Sequence, residues 1–298
     1  MENQLRGILV PLITPFTADG ELAAEALESL AHGLLDEGAG GLVALGTTGE
    51  PSALDPEERA TVLDVCARVC RERGAPLVIG AGGGGTRQSV AALAELRAYP
   101  EAVAALTTVP AFVRPGAAGV LAHFEELAAH SPVPLVVYHI PYRTGQELDA
   151  GALRAVGALP RVVGVKYATG GVDAQTVALL GDLPDDFAVL AGDDAVLSPL
   201  LALGASGGIL ASAHLATARF VELTEAWRAG EAARARALGH RLAALSASAF
   251  AEPNPTVIKG VLHAQGRIPS AAVRLPLLPA GAGAVAACLS ALEALEAA

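Results

Sequence analysis

Several residue types are scarce in this chain of 298 residues, and each scarcity removes a class of function. Three cysteines, Cys66, Cys70 and Cys288, are too few and too scattered for a disulfide framework. Cys66 and Cys70 lie one helical turn apart with no histidine nearby to complete a zinc site, so all three read as reduced core residues and no metal is expected. Charged residues make up 17% against 52% hydrophobic, far from a disordered composition, so the chain can bury a large core. The formal net charge is -11 and no run of Lys or Arg occurs anywhere. Nucleic acid and anionic membrane both reward clustered positive charge, so neither is an expected partner, and a small molecule is. The opening MENQLRGILV carries Glu2 and Arg6 and lacks the charged, then apolar, then small order of an export signal, so a cytoplasmic protein is expected. The longest uncharged stretch, residues 195–218, is interrupted by Pro199, Gly204, Gly207, Gly208 and His214. It is parsed as a short helix, a turn and a strand rather than a membrane span.

What is plentiful is alternation. Short runs of Val, Ile and Leu recur, each followed by a longer segment with helical spacing. They are GILVPLIT from Gly7, GGLVAL from Gly40, PLVIGAG from Pro76, AVAALTTV from Ala102, PLVVYHI from Pro134, RVVGVKYA from Arg161, FAVLAG from Phe187 and GGILASA from Gly207. Asp55-Pro56-Glu57-Glu58 supplies a cap, a first-turn proline and acidic residues at the positive end of a helix dipole. Val62, Cys66, Val69 and Cys70 then mark one face of that helix, and Asp149 caps a shorter one. Eight near-continuous hydrophobic strands alternating with helices predict a parallel sheet covered on both sides, as an α/β (β/α)8 TIM barrel with a C-terminal helical extension. The runner-up is an open doubly wound sheet. The barrel is expected over residues 1–220. Helical segments Glu222 to Phe250, Asn254 to Gln265 and Gly281 to Ala297 form the extension over 221–298, packed on the barrel because no polar linker separates them.

Barrel active sites lie at the C-terminal ends of the strands. The polar residues there are GTTGE (46–50), YHIPYRTG (138–145), Lys166, and GDD beginning at Gly192. Strand parity puts Val162, Gly164 and Lys166 on one face and Val163, Val165 and Tyr167 on the other. If the Val163 face packs on the helices, Lys166 points into the barrel and Gly164 leaves a hole below it. An amine in an apolar cavity loses its charge more easily, and a neutral amine forms a Schiff base with a ketone. The alternative from position alone is a rim lysine paired with Asp193 or Asp194. Tyr138 reads either as a core tyrosine with its hydroxyl satisfied at the rim or as a proton shuttle. Two glycine patterns are set aside, with phosphate binding at the Gly82 to Gly85 loop kept as a minor alternative. Gly204 to Gly208 matches a nucleophile elbow with strand and helix in the wrong order, and Gly82 to Gly85 lacks the Gly-Lys-Ser/Thr of a phosphate loop.

As a set, GTTGE, YHIPYRTG, GVKYATG, GDD and AEPNPTVIK (251–259), in this order from Thr14 to the RLPLLP at Arg274, resemble the dihydrodipicolinate synthase / N-acetylneuraminate lyase family of class I aldolases. The resemblance implies that Lys166 forms the Schiff base with pyruvate and that Tyr138 moves protons beside it. Thr47 would be the relay hydroxyl, Thr48 a pyruvate carboxylate contact, Ile209 a backbone contact, and Gly192 part of the substrate site. Arg143 would anchor the carboxylate of aspartate semialdehyde. No metal or organic cofactor is implied, and a homotetramer, a dimer of dimers, is. Against the synthase pattern, Phe112 and Ala111 occupy a usual pair of tyrosines, leaving Phe112 a doubtful relay position. His139 replaces an asparagine and Tyr167 a glutamate, the latter a choice closer to sugar-acid lyases. Gly84, Gln88 and Ala111 stand where lysine-inhibited members carry asparagine, glutamate and tyrosine, so feedback by lysine is expected to be weak or absent. The expected activity is condensation of pyruvate with aspartate semialdehyde to 4-hydroxy-tetrahydrodipicolinate. The alternatives are an aldolase for another aldehyde, such as a 2-keto-3-deoxy sugar acid, and a non-catalytic barrel that binds a keto acid.

Overall fold

Strands rich in Val, Ile, Leu and Ala on both faces need cover on both, which a barrel supplies with a filled interior inside and helices outside. The structure is a computed structural model describing residues 5–184 and 186–297. Its strands close in chain order: β1 (Gly7–Pro11), β2 (Gly41–Ala44), β3 (Leu77–Gly80), β4 (Ala102–Thr108), β5 (Leu135–His139), β6 (Val162–Tyr167), β7 (Ala188–Ala191) and β8 (Gly207–Ile209). All neighbours run parallel, and β8 returns to β1 with Leu9 opposite Ile209. The helices are α1 (Ala24–Asp36), α2 (Pro56–Arg73), α3 (Thr86–Glu95), α4 (Gly116–His130), the single turn α5 (Pro141–Thr144), α6 (Ala150–Gly157), α7 (Ala174–Leu180), α8 (Leu197–Ala202), α9 (Ala213–Arg228), α10 (Ala232–Ala249), α11 (Thr256–Ala264) and α12 (Ala282–Glu296). This is the expected (β/α)8 barrel with C-terminal helices. None of the described helices is long and apolar enough to cross a membrane. The first four residues, including Glu2 of the opening segment, lie outside the described residues.

The caps form as the sequence predicts. The Asp55 carboxylate accepts from the Glu58 amide at 2.8 Å, and the Glu58 side chain accepts from the Asp55 amide at 3.0 Å. Asp149 accepts from the Ala152 amide at 2.7 Å. Cys66, Cys70 and Cys288 are buried and unpaired.

Three local expectations are corrected. The helical segment drawn from Glu222 to Phe250 is two helices, because the chain turns at Gly230 in the left-handed region, φ 76°, between α9 and α10. Helix α9 begins at Ala213, so position 220 falls inside it; α10 packs on α8, α9 and the turn at 194–196, and α12 packs on α10 and α11. Simple parity also fails along β6, where a register shift against β5 at Leu135/Val136 puts Val162 opposite Leu135 and Gly164 opposite Val136. Val162 therefore packs outward with Val165 and Tyr167, while Val163 packs against the inner core cluster that contains Val136 and Leu190. Finally, Gly164 leaves no hole. A β-carbon there would sit 2.6 Å from the Ala188 carbonyl oxygen, so the space belongs to the backbone of β7.

Candidate active site

Beyond the bulge the alternation of β6 resumes, and Lys166 faces inward at the level of Tyr138 on β5, its direct partner in register. Its side chain is 6% exposed, with Nζ 4.2 Å from the centre of the Tyr138 ring. Room for the stem comes from Gly192, just past β7: a β-carbon there would lie 3.1 Å from Lys166 Cγ and 2.8 Å from the β-carbon of Ala168. Among the described residues no carboxylate forms an ion pair with Lys166, so the rim salt bridge with Asp193 or Asp194 is not made. Those carboxylates are held by backbone amides instead, Asp193 by Gly170 and Asp194 by Ser212, each at 2.6 Å.

Burial is the largest influence on Lys166, Asp193, Asp194, Tyr138 and His139. It pushes the Lys166 amine down to about 8, against the pull of Asp194 and Asp193, which favours the ammonium. It raises Asp194, the buried acid nearest in charge to Lys166, well above the usual carboxylate range. It raises the Tyr138 phenol to about 12, with Arg143 and a hydrogen bond from Thr47 acting the other way. Burial also lowers His139 to about 4, so its imidazole is neutral at pH 7. The site thus joins an amine that loses its proton near neutral pH to a phenol that keeps its own. That pairing suits nucleophilic attack on a carbonyl with a proton donor alongside.

The remaining candidates divide. Thr47 and Thr48 lie on the one-turn 3-10 helix Thr47–Gly49 after β2. Thr47 lines the same cavity as Tyr138 and acts on its phenol, while Thr48, 3% exposed, accepts a hydrogen bond from Asn254 Nδ2 at 2.9 Å. A cavity of about 190 Å³ opens beside Thr47 and Tyr138, bounded by Gly46, Gly82, Leu106 and Thr108. Ile209 ends β8 with its side chain in the inner core. Arg143 sits exposed on α5 at the mouth, its Nε donating to the Tyr142 hydroxyl at 2.7 Å, and its charge acts on both Tyr138 and Lys166. Phe112 is not brought in: its ring is 93% exposed, on backbone with φ 70°. Tyr167 faces outward, 4% exposed, its hydroxyl 3.2 Å from Thr176 Oγ1 on α7, so it lines no part of the cavity.

Sequence reasoning gave no role to Asn254 or Lys259, and weighed Asp194 only as an ion-pair partner for Lys166. AEPNPTVIK was noticed as a motif without a role for any of its residues. The available signal was a lysine inside the otherwise uncharged helix TVIKGVLHA, where a cation cannot reach solvent without turning the apolar face away. The chain holds only two lysines, Lys166 and Lys259, and the fold buries both.

Comparison with known proteins gives the family of the chain. The model of the family described as "Dihydrodipicolinate synthetase family" matches residues 4–295. The chain is 36% identical over 276 residues to 4-hydroxy-tetrahydrodipicolinate synthase 2 of Clostridium acetobutylicum, covering 93% of this chain and 95% of that one. The chloride-inhibited dihydrodipicolinate synthase of Acinetobacter baumannii, solved in complex with pyruvate, superposes with a TM-score of 0.92 at 32% identity, over 98% of this chain and 99% of that one. The dihydrodipicolinate synthase of Thermotoga maritima superposes with a TM-score of 0.93 at 28% identity, over 98% and 99%.

Proposed function

Since the chain belongs to the dihydrodipicolinate synthetase family, we propose that it condenses pyruvate with aspartate semialdehyde to 4-hydroxy-tetrahydrodipicolinate, in lysine and diaminopimelate biosynthesis, through a Schiff base on Lys166. The observation that carries this reading is the Lys166 amine: inward, 6% exposed, without an ion pair among the described residues, and against the Tyr138 ring. The neutral amine adds to the pyruvate ketone, and loss of water leaves a protonated imine. This electron sink lets the adjacent methyl release a proton to give an enamine. The enamine carbon forms the new bond to the aldehyde carbon, whose oxygen takes up a proton. The amino group of the semialdehyde then attacks the imine carbon, closing the ring and returning Lys166 as a free amine.

In this reading Tyr138 gives and takes the protons, since a phenol near 12 stays protonated until a substrate oxygen needs it. Thr47 orients that phenol. Thr48 and the Ile209 backbone hold the pyruvate carboxylate end, and Gly192 keeps the space beside the imine open. Arg143 offers its guanidinium fork to the semialdehyde carboxylate at the mouth. Phe112 carries no proton, so the relay stops at Thr47 within one subunit. The enzyme works in the cytoplasm as a homotetramer, and the exposed Phe112, Val113 and Tyr142 beside the mouth are apolar area for a neighbouring subunit to cover. Lysine feedback is weak or absent.

A panel of aldehydes with pyruvate tests the substrate. Turnover should be fastest with aspartate semialdehyde, and absence of turnover with it, alongside cleavage or synthesis of a 2-keto-3-deoxy sugar acid, would replace this reading. The outward position of Tyr167 removes one motive for that sugar-acid alternative.

A further inference from the structure

Lys259 has no part in the chemistry above, yet its surroundings are as closely built as those of Lys166. It is fully buried on α11, and the three N–H bonds of its ammonium are all accounted for. One meets Glu50 Oε1 at 2.5 Å, one the Ala272 carbonyl at 2.9 Å, and the third points at the face of Phe16, whose ring centre is 4.1 Å away. Glu50 is the last residue of GTTGE and is itself buried. It ends the Thr47–Gly49 turn in the left-handed region at φ 53°, which a residue with a side chain adopts only when its surroundings hold it there. Its second oxygen accepts from the Arg274 amide at 2.9 Å. The Arg274 guanidinium covers the Phe16 ring as well, 4.4 Å from its centre, and pairs with Glu58 at the start of α2. Two further bonds bear on the same turn: Thr14 Oγ1 donates to the Gly49 carbonyl at 2.7 Å, and Asn254 Nδ2 donates to Thr48.

We infer that Lys259 is a positioning residue for the reaction: paired with Glu50, it clamps the far end of the turn so that Thr47 meets the Tyr138 hydroxyl and Thr48 faces the substrate carboxylate. The C-terminal segment thereby sets the geometry of a loop more than 200 positions earlier in the chain. This inference rests on the proposed function, since it assigns Thr47 and Thr48 their roles there. A buried ion pair is a poor source of stability but holds a fixed geometry, and removing one partner leaves an unpaired charge. Glu50→Gln, which keeps shape and loses charge, is therefore the first probe, and Lys259→Met combined with Glu50→Gln the second.

The test is a double-mutant cycle on kcat between Glu50→Gln and Thr47→Val, with trapping of pyruvate on Lys166 measured in each protein. Glu50→Gln should lower kcat roughly tenfold while adduct still forms. The double variant should be little worse than Thr47→Val alone, because both changes disable the same hydroxyl. Leu27→Ala, a truncation of a fully buried side chain on α1 that makes none of the hydrogen bonds above, should cost melting temperature without this change in kcat. Losses that multiply independently, or an unchanged kcat in both Glu50→Gln and the Lys259→Met/Glu50→Gln protein, would overturn the clamp. Failure of the wild-type protein to form any pyruvate adduct would instead overturn the proposed function, so the two failures are told apart.

Discussion

The two lysines of this chain are a natural controlled pair. Both are buried, and burial pushes both amines down to about 8. Lys259 nonetheless spends its three N–H bonds on a carboxylate, a carbonyl and a ring. Lys166 makes no ion pair among the described residues and lies against the Tyr138 ring, with Asp193 and Asp194 acting on it while backbone amides hold them. A lowered pKa therefore does not by itself identify a nucleophile. The difference lies in whether the ammonium can give up a proton without leaving a partner charge stranded, and only Lys166 meets that condition.

The largest way to break this comparison is to delete each amine. Lys166→Ala should abolish the pyruvate adduct and lower kcat by at least on the order of 10⁴. A comparable kcat in that variant would end the Schiff-base account. Tyr138→Phe should still trap pyruvate yet lose roughly 10² to 10⁴ in kcat, as expected for removal of a general acid-base group; steady-state kinetics beside the trapping assay separates the two effects. Arg143→Ala should raise the KM for the semialdehyde by about 10- to 100-fold, the worth of a charge-assisted hydrogen bond pair, with adduct formation unchanged. Equal losses in both would move Arg143 from the aldehyde to the pyruvate step.

The pH dependence sharpens the contrast between the lysines. Because the neutral amine attacks and its pKa is about 8, the pre-steady-state rate of adduct formation should rise as pH increases through 8 and level off above it. From pH 7 to the plateau the gain is about tenfold, since roughly a tenth of the amine is neutral one unit below its pKa. A rate that falls over this range would place the reactive amine elsewhere. The smallest expected effect is at Tyr167→Phe, which removes the hydroxyl contact with Thr176. About 1 kcal/mol of stability should be lost in denaturant titration, with kcat and substrate preference unchanged. A change of aldehyde preference there would show that the outward face of β6 reaches the site.

Much of this molecule could be read before its fold was known, and the limits follow from what sequence periodicity encodes. The eight strands were visible because strands buried on both faces leave long apolar runs, and the Asp55 and Asp149 caps because their bonds are local. Parity along β6 misled at Val162 and Val163 because a bulge adds one residue to one strand, and no periodic count registers the insertion. Gly164 reads as a hole below Lys166, yet it admits the β7 backbone, and the room for the lysine stem comes from Gly192 instead; only tertiary contact tells the two apart. Tyr167 drew attention by type and proved to be core, while Lys259 and Glu50, which meet across more than 200 positions, left no joint trace in a single sequence.

The central claim is that one of two buried lysines is chemically free. Reduction with borohydride in the presence of pyruvate, followed by peptide mass mapping of the folded protein, tests it directly. The account predicts the reduced pyruvate adduct on the peptide carrying Lys166 and none on the peptide carrying Lys259. An adduct on Lys259, or on neither lysine, would contradict it.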